Sequence, residues 1–118
     1  MQNLILIFVC TMRLNFRRAK KRYNLCGKVQ VHHIIPLQHR HHTSLENFDI
    51  DGRSNLMFLP IRQDTFNTQK RVHEGGHLNY NRYVLDRLNA LDSEKNAHFL
   101  CQELRYRIRI GDKTLPWK

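Results

Sequence analysis

Two short apolar runs, each closed by a proline, predict the strands of this chain. From Lys28 to Ile35 apolar and polar positions alternate up to two adjacent histidines, and Pro36 follows. A second run covers Leu56 to Pro60, directly after the turn-rich segment Asp49 to Asn55. Alternation is typical of a half-buried strand, and proline cannot continue a ladder. The two runs predict an antiparallel hairpin with a long, irregular connection.

After His77 the spacing of apolar residues becomes helical. One stripe recurs at four, four and three residues: Tyr80, Val84, Leu88 and Leu91. A second stripe predicts a last helix, with Ser93 as its N-cap and Gly111 as its end: Ala97, Leu100, Cys101, Leu104 and Ile108. The pattern therefore predicts an α+β fold, a hairpin followed by a helix and accompanied by flanking helices.

Length and charge point to one basic domain. A chain of 118 residues is best interpreted as a single domain, residues 1–118. It carries 20 Lys and Arg against 10 Asp and Glu, a formal net charge of +10. Such a field favours nucleic acid as partner, although solubility or an acidic protein partner are alternatives. Arg17 to Arg22 form a basic cluster that is either a solvated helix face or a phosphate-binding surface.

The cysteines and the apolar N-terminus bear on location. Cys10, Cys26 and Cys101 form no Cys-x-x-Cys pair, which fits a reducing compartment better than a disulfide framework or a zinc ribbon. The apolar residues 1–10 follow no basic residue, so a strand or helix is predicted there rather than a signal peptide. We predict an intracellular protein, cytoplasmic or nuclear, with no transmembrane segment.

The histidine pair His32-His33 is the chemical centre of the sequence. Neighbouring residues on a strand point to opposite faces, so one imidazole can bind a metal while the other moves a proton. We predict His33 as the general base, because imidazole titrates near neutral pH. His32, His73 and His77 are the candidate ligands of one divalent metal with an open position. Asn55 is expected to hydrogen-bond across the hairpin and hold His33 in place.

The ligand set and the metal are less defined than the base. Gly75 and Gly76 disfavour a regular helix between His73 and His77, so His77 is the better ligand candidate. Imidazole ligands suit Zn²⁺, Ni²⁺ or Mn²⁺, whereas two histidines with a phosphate also allow Mg²⁺.

Other basic side chains are candidates for substrate binding or for plain surface. We predict substrate contacts at the arginines that flank the motif blocks: Arg53, Arg71 and Arg82. We interpret the remaining histidines as polar surface unrelated to the metal: His39, His41, His42 and His98.

The three ordered blocks resemble one nuclease superfamily. His32-His33-Ile34-Ile35-Pro36, Asn55 to Pro60, and the helix that follows His73 and His77 are similar to HNH, or His-Me finger, nucleases of the AHH-like branch. The resemblance spans residues 28–91. It implies a ββα-metal fold and metal-dependent cleavage of DNA, sometimes RNA. It also implies His33 as base, His32 and His77 as ligands, His73 as a further ligand and Asn55 as the middle motif residue.

Three functions follow from these observations. The first is a metal-dependent endonuclease of low sequence specificity that acts on DNA more than on RNA. The second is a basic nucleic-acid-binding domain with a structural zinc, in which His33 would have no task. The third is a hydrolase of small cyclic-nucleotide phosphodiesters, which would need a narrow pocket. The sequence leaves open a stand-alone enzyme, a mobile-element enzyme or a delivered toxin domain.

Overall fold

The described part of the chain is an α+β fold, as predicted. The computed structural model describes residues 16–62, 70–72, 77–91 and 96–118. The expectations for residues 1–10, His73, Gly75 and Gly76 therefore lie outside the described residues. In chain order the elements are a helix α1 at residues 16–22, strand β1 at Val29–His33, strand β2 at Leu56–Pro60, helix α2 at Leu78–Asn89 and helix α3 at Ala97–Arg109.

The predicted hairpin is confirmed, with a shorter first strand. β1 and β2 pair antiparallel, and Val29 opposes Pro60 while His33 opposes Leu56. The chain leaves the regular ladder after His33, although the amide of Ile34 still donates to the carbonyl oxygen of Asn55 at 2.8 Å. β1 therefore ends at the second histidine.

The two faces of the hairpin pack against different helices. On the inner face His32 lies next to Tyr80 of α2, with ring centroids 5.4 Å apart, and its register partner Met57 belongs to the core. On the outer face Phe58, the register partner of Val31, meets Phe16 of α1 edge-on at 5.1 Å. The period of two along β1 thus separates His32 from His33.

The core forms between the inner face of the hairpin and helices α2 and α3. Its members from the helices are the residues of the two predicted stripes: Tyr80, Val84, Leu88, Ala97, Leu100, Cys101, Leu104 and Ile108. α3 begins at Asn96, whose side chain accepts hydrogen bonds from the amides of His98 and Phe99 at 3.0 and 3.2 Å. The prediction of Ser93 as this N-cap was wrong, because Asn96 satisfies those amides.

The long connection between the strands lies against α2. His39 Nε2 donates to the carbonyl oxygen of Asn81 at 2.8 Å, and His42 Nε2 donates to Asn89 Oδ1 at 2.7 Å. His42 Nδ1 also accepts from the amide of Ser44 at 3.1 Å and caps the short 3-10 turn Thr43–Leu45. Two histidines interpreted as plain surface therefore attach the loop to the helix that carries His77.

The C-terminal tail folds back onto the start of α2. The guanidinium of Arg71 donates to the carbonyl oxygens of Asp112 and Leu115, and Leu115 is buried. Trp117 Nε1 donates to the carbonyl oxygen of Val72 at 2.9 Å, and the carbonyl oxygen of Trp117 accepts from the amide of Tyr80 at 3.1 Å. These contacts place the Trp117 ring beside the histidines of the inner face.

Candidate functional site

His32 and His77 meet on the inner face of the hairpin. His32 is 1% exposed, and its ring centroid lies 5.0 Å from that of His77, with the ring planes at 82°. His77 is the N-cap residue of α2, and its Nδ1 donates to Asn81 Oδ1 at 3.0 Å. A strand and a helix start thus bring together two imidazoles that are 45 positions apart in the sequence.

The separation between the rings of His32 and His77 is compatible with a shared metal ion. Metal–nitrogen bonds of about 2.0–2.1 Å and a tetrahedral angle place the ring centroids of two ligating imidazoles about 5 Å apart. The bond from Nδ1 of His77 to Asn81 restricts the orientation of the ring, and such orienting bonds are usual for ligating histidines. The donor set and its spacing therefore fit the ion that the sequence predicts.

A third ligand is not placed beside this pair within the described residues. No group of three or more His, Cys, Asp or Glu side chains that could hold a metal occurs within residues 16–62, 70–72, 77–91 and 96–118. The third predicted ligand, His73, lies outside these ranges. Its role stays a prediction.

Tyr80 and Trp117 form aromatic walls around His32 and His77. The Trp117 ring lies 5.5 Å from His32, 5.3 Å from His77 and 5.0 Å from Tyr80. The Tyr80 hydroxyl donates to the carbonyl oxygen of Ile34, and burial raises its pKa well above the ordinary value. Tyr80 consequently stays protonated at neutral pH and is a wall rather than an anionic ligand. No local pattern in the sequence indicates that the Trp117 ring lies beside these histidines.

His33 has a different partner, which the sequence did not identify. Its Nε2 donates to Asp51 Oδ1 at 2.9 Å, and the side chains are 23% and 18% exposed. This bond leaves Nδ1 as the nitrogen for a second task. Asp51 was assigned to a turn-rich segment because Asp is common in turns. Its one sequence signal is that it is among the few acidic residues of a strongly basic chain.

Asn55 is buried and contacts the backbone after His33 rather than the imidazole. Its Oδ1 accepts from the amide of Ile35 at 2.7 Å, and its Nδ2 donates to the carbonyl oxygens of Ile35 at 3.1 Å and Ile50 at 2.8 Å. The side chain is 0% exposed. Asn55 therefore connects the end of β1 to the loop that carries Asp51.

Two residues of helix α3 contact Asn55 and the main chain on either side of it. The guanidinium of Arg105 donates to the carbonyl oxygen of Ser54 at 2.5 Å and to that of Leu56 at 3.2 Å. The thiol of Cys101 lies 3.4 Å from Asn55 Oδ1, and burial raises its pKa to about 11. Cys101 is thus a protonated, structural thiol, and Arg105 is a structural arginine that local sequence patterns did not reveal.

The predicted substrate arginines occupy different environments. Arg71 is engaged with the tail carbonyls, and its guanidinium carbon lies 5.9 Å from the Trp117 ring centroid. Arg53 and Arg82 are exposed. The geometry gives Arg71 a structural task in holding the tail, whereas Arg53 and Arg82 are accessible to a polymer.

The comparisons with known proteins identify the family. A family model described as AHH, a nuclease family of the HNH/ENDO VII superfamily with conserved AHH, matches residues 15–109. The chain belongs to the AHH nuclease family. The AHH match makes the protein a nuclease with nucleic acid as its substrate, which confirms the resemblance. No curated protein and no solved structure matches the chain significantly.

The AHH motif itself is altered in this member of the family. The chain contains no Ala-His-His tripeptide, and β1 instead carries Val31-His32-His33. The other adjacent pair, His41-His42, lies in the connection between β1 and β2, where His42 caps a turn. His32-His33 is therefore the adjacent pair whose two side chains lie on opposite faces of the hairpin. No helix of the described ranges is long and apolar enough to span a bilayer.

Proposed function

We propose that this AHH nuclease is an endonuclease that hydrolyses phosphodiester bonds, prefers DNA to RNA and uses a single divalent metal ion. The observation that carries the proposal is that the adjacent residues His32 and His33 have different partners on the two faces of the hairpin. His32 joins His77 at 5.0 Å on one face, while His33 bonds Asp51 at 2.9 Å on the other. A structural metal site would leave this second imidazole without a task.

His33 is the general base of the proposed reaction. Asp51 accepts from Nε2, which fixes the tautomer and leaves Nδ1 as a proton acceptor. Nδ1 takes a proton from the attacking water, and the oxygen of that water attacks phosphorus as the leaving oxygen departs. Asn55 holds the main chain after His33, so the imidazole approaches the phosphate from a fixed position.

His32 and His77 are the proposed metal ligands, with His73 as the third. A bound ion supplies positive charge where the phosphate and the leaving oxygen develop negative charge. Burial of His32 and the bond from His77 to Asn81 restrict both rings, so little side-chain freedom is lost on binding. The imidazole donors favour Zn²⁺, Ni²⁺ or Mn²⁺, and a phosphate oxygen in the open position also permits Mg²⁺.

The test combines cleavage with metal binding. Plasmid DNA, single-stranded DNA and RNA are incubated with wild type and His33→Ala in Mg²⁺, Mn²⁺, Ni²⁺ or Zn²⁺. We expect cleavage by wild type, DNA ahead of RNA, and a loss of activity in His33→Ala with metal affinity retained by calorimetry. Intact substrates under every condition, in a folded wild-type protein that binds metal, would reject the endonuclease and favour a binding domain with a structural zinc.

A further inference from the structure

A small cavity lies on the outer face of the hairpin, under helix α1. Its volume is about 200 Å³. It is lined by Phe16, Arg17 and Lys20 from α1 and by Val31, His33 and Leu56 from the hairpin. His33 thus faces both Asp51 and this cavity, so a group bound in the cavity lies next to the proposed base.

The cavity combines apolar walls with cationic side chains. Phe16, Val31 and Leu56 supply the apolar surface, and the Phe16 ring is held by its edge-on contact with Phe58 at 5.1 Å. Arg17 and Lys20 lie one helical turn apart on α1 and supply two positive charges. A flat, largely apolar group attached to an anion matches this lining.

We propose that the cavity binds one nucleobase of the substrate strand, adjacent to the scissile phosphate, while Arg17 and Lys20 hold the neighbouring phosphate. This subsite rests on the proposed endonuclease function. The cavity is smaller than the roughly 300–1,000 Å³ of pockets for drug-sized ligands, which suits a single base. Aromatic stacking binds any base, so the subsite is compatible with low sequence specificity.

The subsite implies a preference for unpaired strands. A base inside a duplex reaches such a cavity only after it leaves the stack, which costs a few kcal/mol. A single strand presents its bases without that cost. The AHH nuclease is therefore expected to cleave single-stranded or locally opened nucleic acid faster than intact duplex of the same sequence.

Small substrates separate the subsite from the chemistry. Methyl p-nitrophenyl phosphate carries no base, whereas the thymidine 5′- and 3′-(p-nitrophenyl phosphates) carry one on either side of the phosphate. In wild type we expect kcat/KM for one thymidine isomer to exceed that for the methyl ester about tenfold. In Phe16→Ala the same ratio is expected to fall toward one, and in Phe16→Leu, which keeps the apolar contact with Phe58, to an intermediate value.

Phe99→Ala is the matched control, because Phe99 is 61% exposed on α3 and does not line the cavity. It should retain the wild-type ratio. Equal kcat/KM for all three esters in wild type would overturn the subsite while leaving the endonuclease proposal intact. This comparison uses the wild-type protein alone, so it does not depend on whether a variant folds. A Phe16→Ala protein with the full preference would also overturn it. Failure to hydrolyse any ester or polymer would instead reject the endonuclease function.

Discussion

The two faces of the hairpin differ in burial and in the kind of contact they make. The inner face holds His32 at 1% exposure among aromatic rings, and the outer face holds His33 with a 23% exposed side chain, a carboxylate partner and a cavity. One backbone supplies both, because consecutive residues of β1 point in opposite directions. In the proposed mechanism the enclosed His32 suits a metal ligand, whereas the more exposed His33 keeps the access to water and substrate that a base needs.

The largest effect should follow removal of the outer imidazole. His33→Ala is expected to lower kcat about 10²–10⁴-fold, since that is the usual contribution of a general base. Metal affinity, measured by calorimetry, should stay at the wild-type value, whereas His77→Ala should weaken it. A His33→Ala protein that loses metal binding as well would show that the two faces do not act separately.

Loss of the Asn55 side chain, which connects the end of β1 to the loop that carries Asp51, should act on stability first. Asn55→Ala removes three hydrogen bonds of a fully buried side chain. The main-chain groups of Ile35 and Ile50 then lose the partner that this side chain provides. Unpaired buried polar groups cost about 1–3 kcal/mol each, so we expect the free energy of unfolding to fall by about 3 kcal/mol. Urea denaturation measures this loss. Asn89→Ala, which removes an exposed bond to His42, is the control.

Replacement of the carboxylate should have a smaller and more selective effect. Asp51→Asn keeps the size of the side chain but no longer fixes the tautomer of His33, so we expect kcat to fall about 10–100-fold with KM unchanged. Asp51→Glu should restore part of the rate. Asp86→Asn, at an exposed position of α2, is the matched control. A parallel fall in thermal stability and kcat, with no rescue by Glu, would reduce Asp51 to a structural role.

What the sequence revealed of this site was local in origin. Alternation predicted β1 and the split between His32 and His33, the apolar run Leu56 to Pro60 predicted β2, and helical spacing predicted α2. The partners that complete the site come from elsewhere: Asp51 is 18 positions from His33, and Arg71 contacts a tail 44 positions away. Such contacts depend on how the loop and tail pack, which no local pattern encodes. For the same reason Asn55 was expected at His33, whereas it contacts Ile35.

The smallest expected effect concerns the cations of the outer face. If Arg17 and Lys20 contact phosphates, each neutral replacement lowers the slope of log Kd against log salt by about one. Arg17→Gln and Lys20→Gln are therefore measured for binding to a single-stranded oligonucleotide across salt concentrations, in the His33→Ala background to prevent cleavage. Lys113→Gln removes an equal charge from an exposed turn after α3 and should leave the slope nearly unchanged. Equal slopes for all three variants would show that the basic cluster acts only through the net charge of the protein and makes no phosphate contacts. Net charge alone has the same effect wherever it lies.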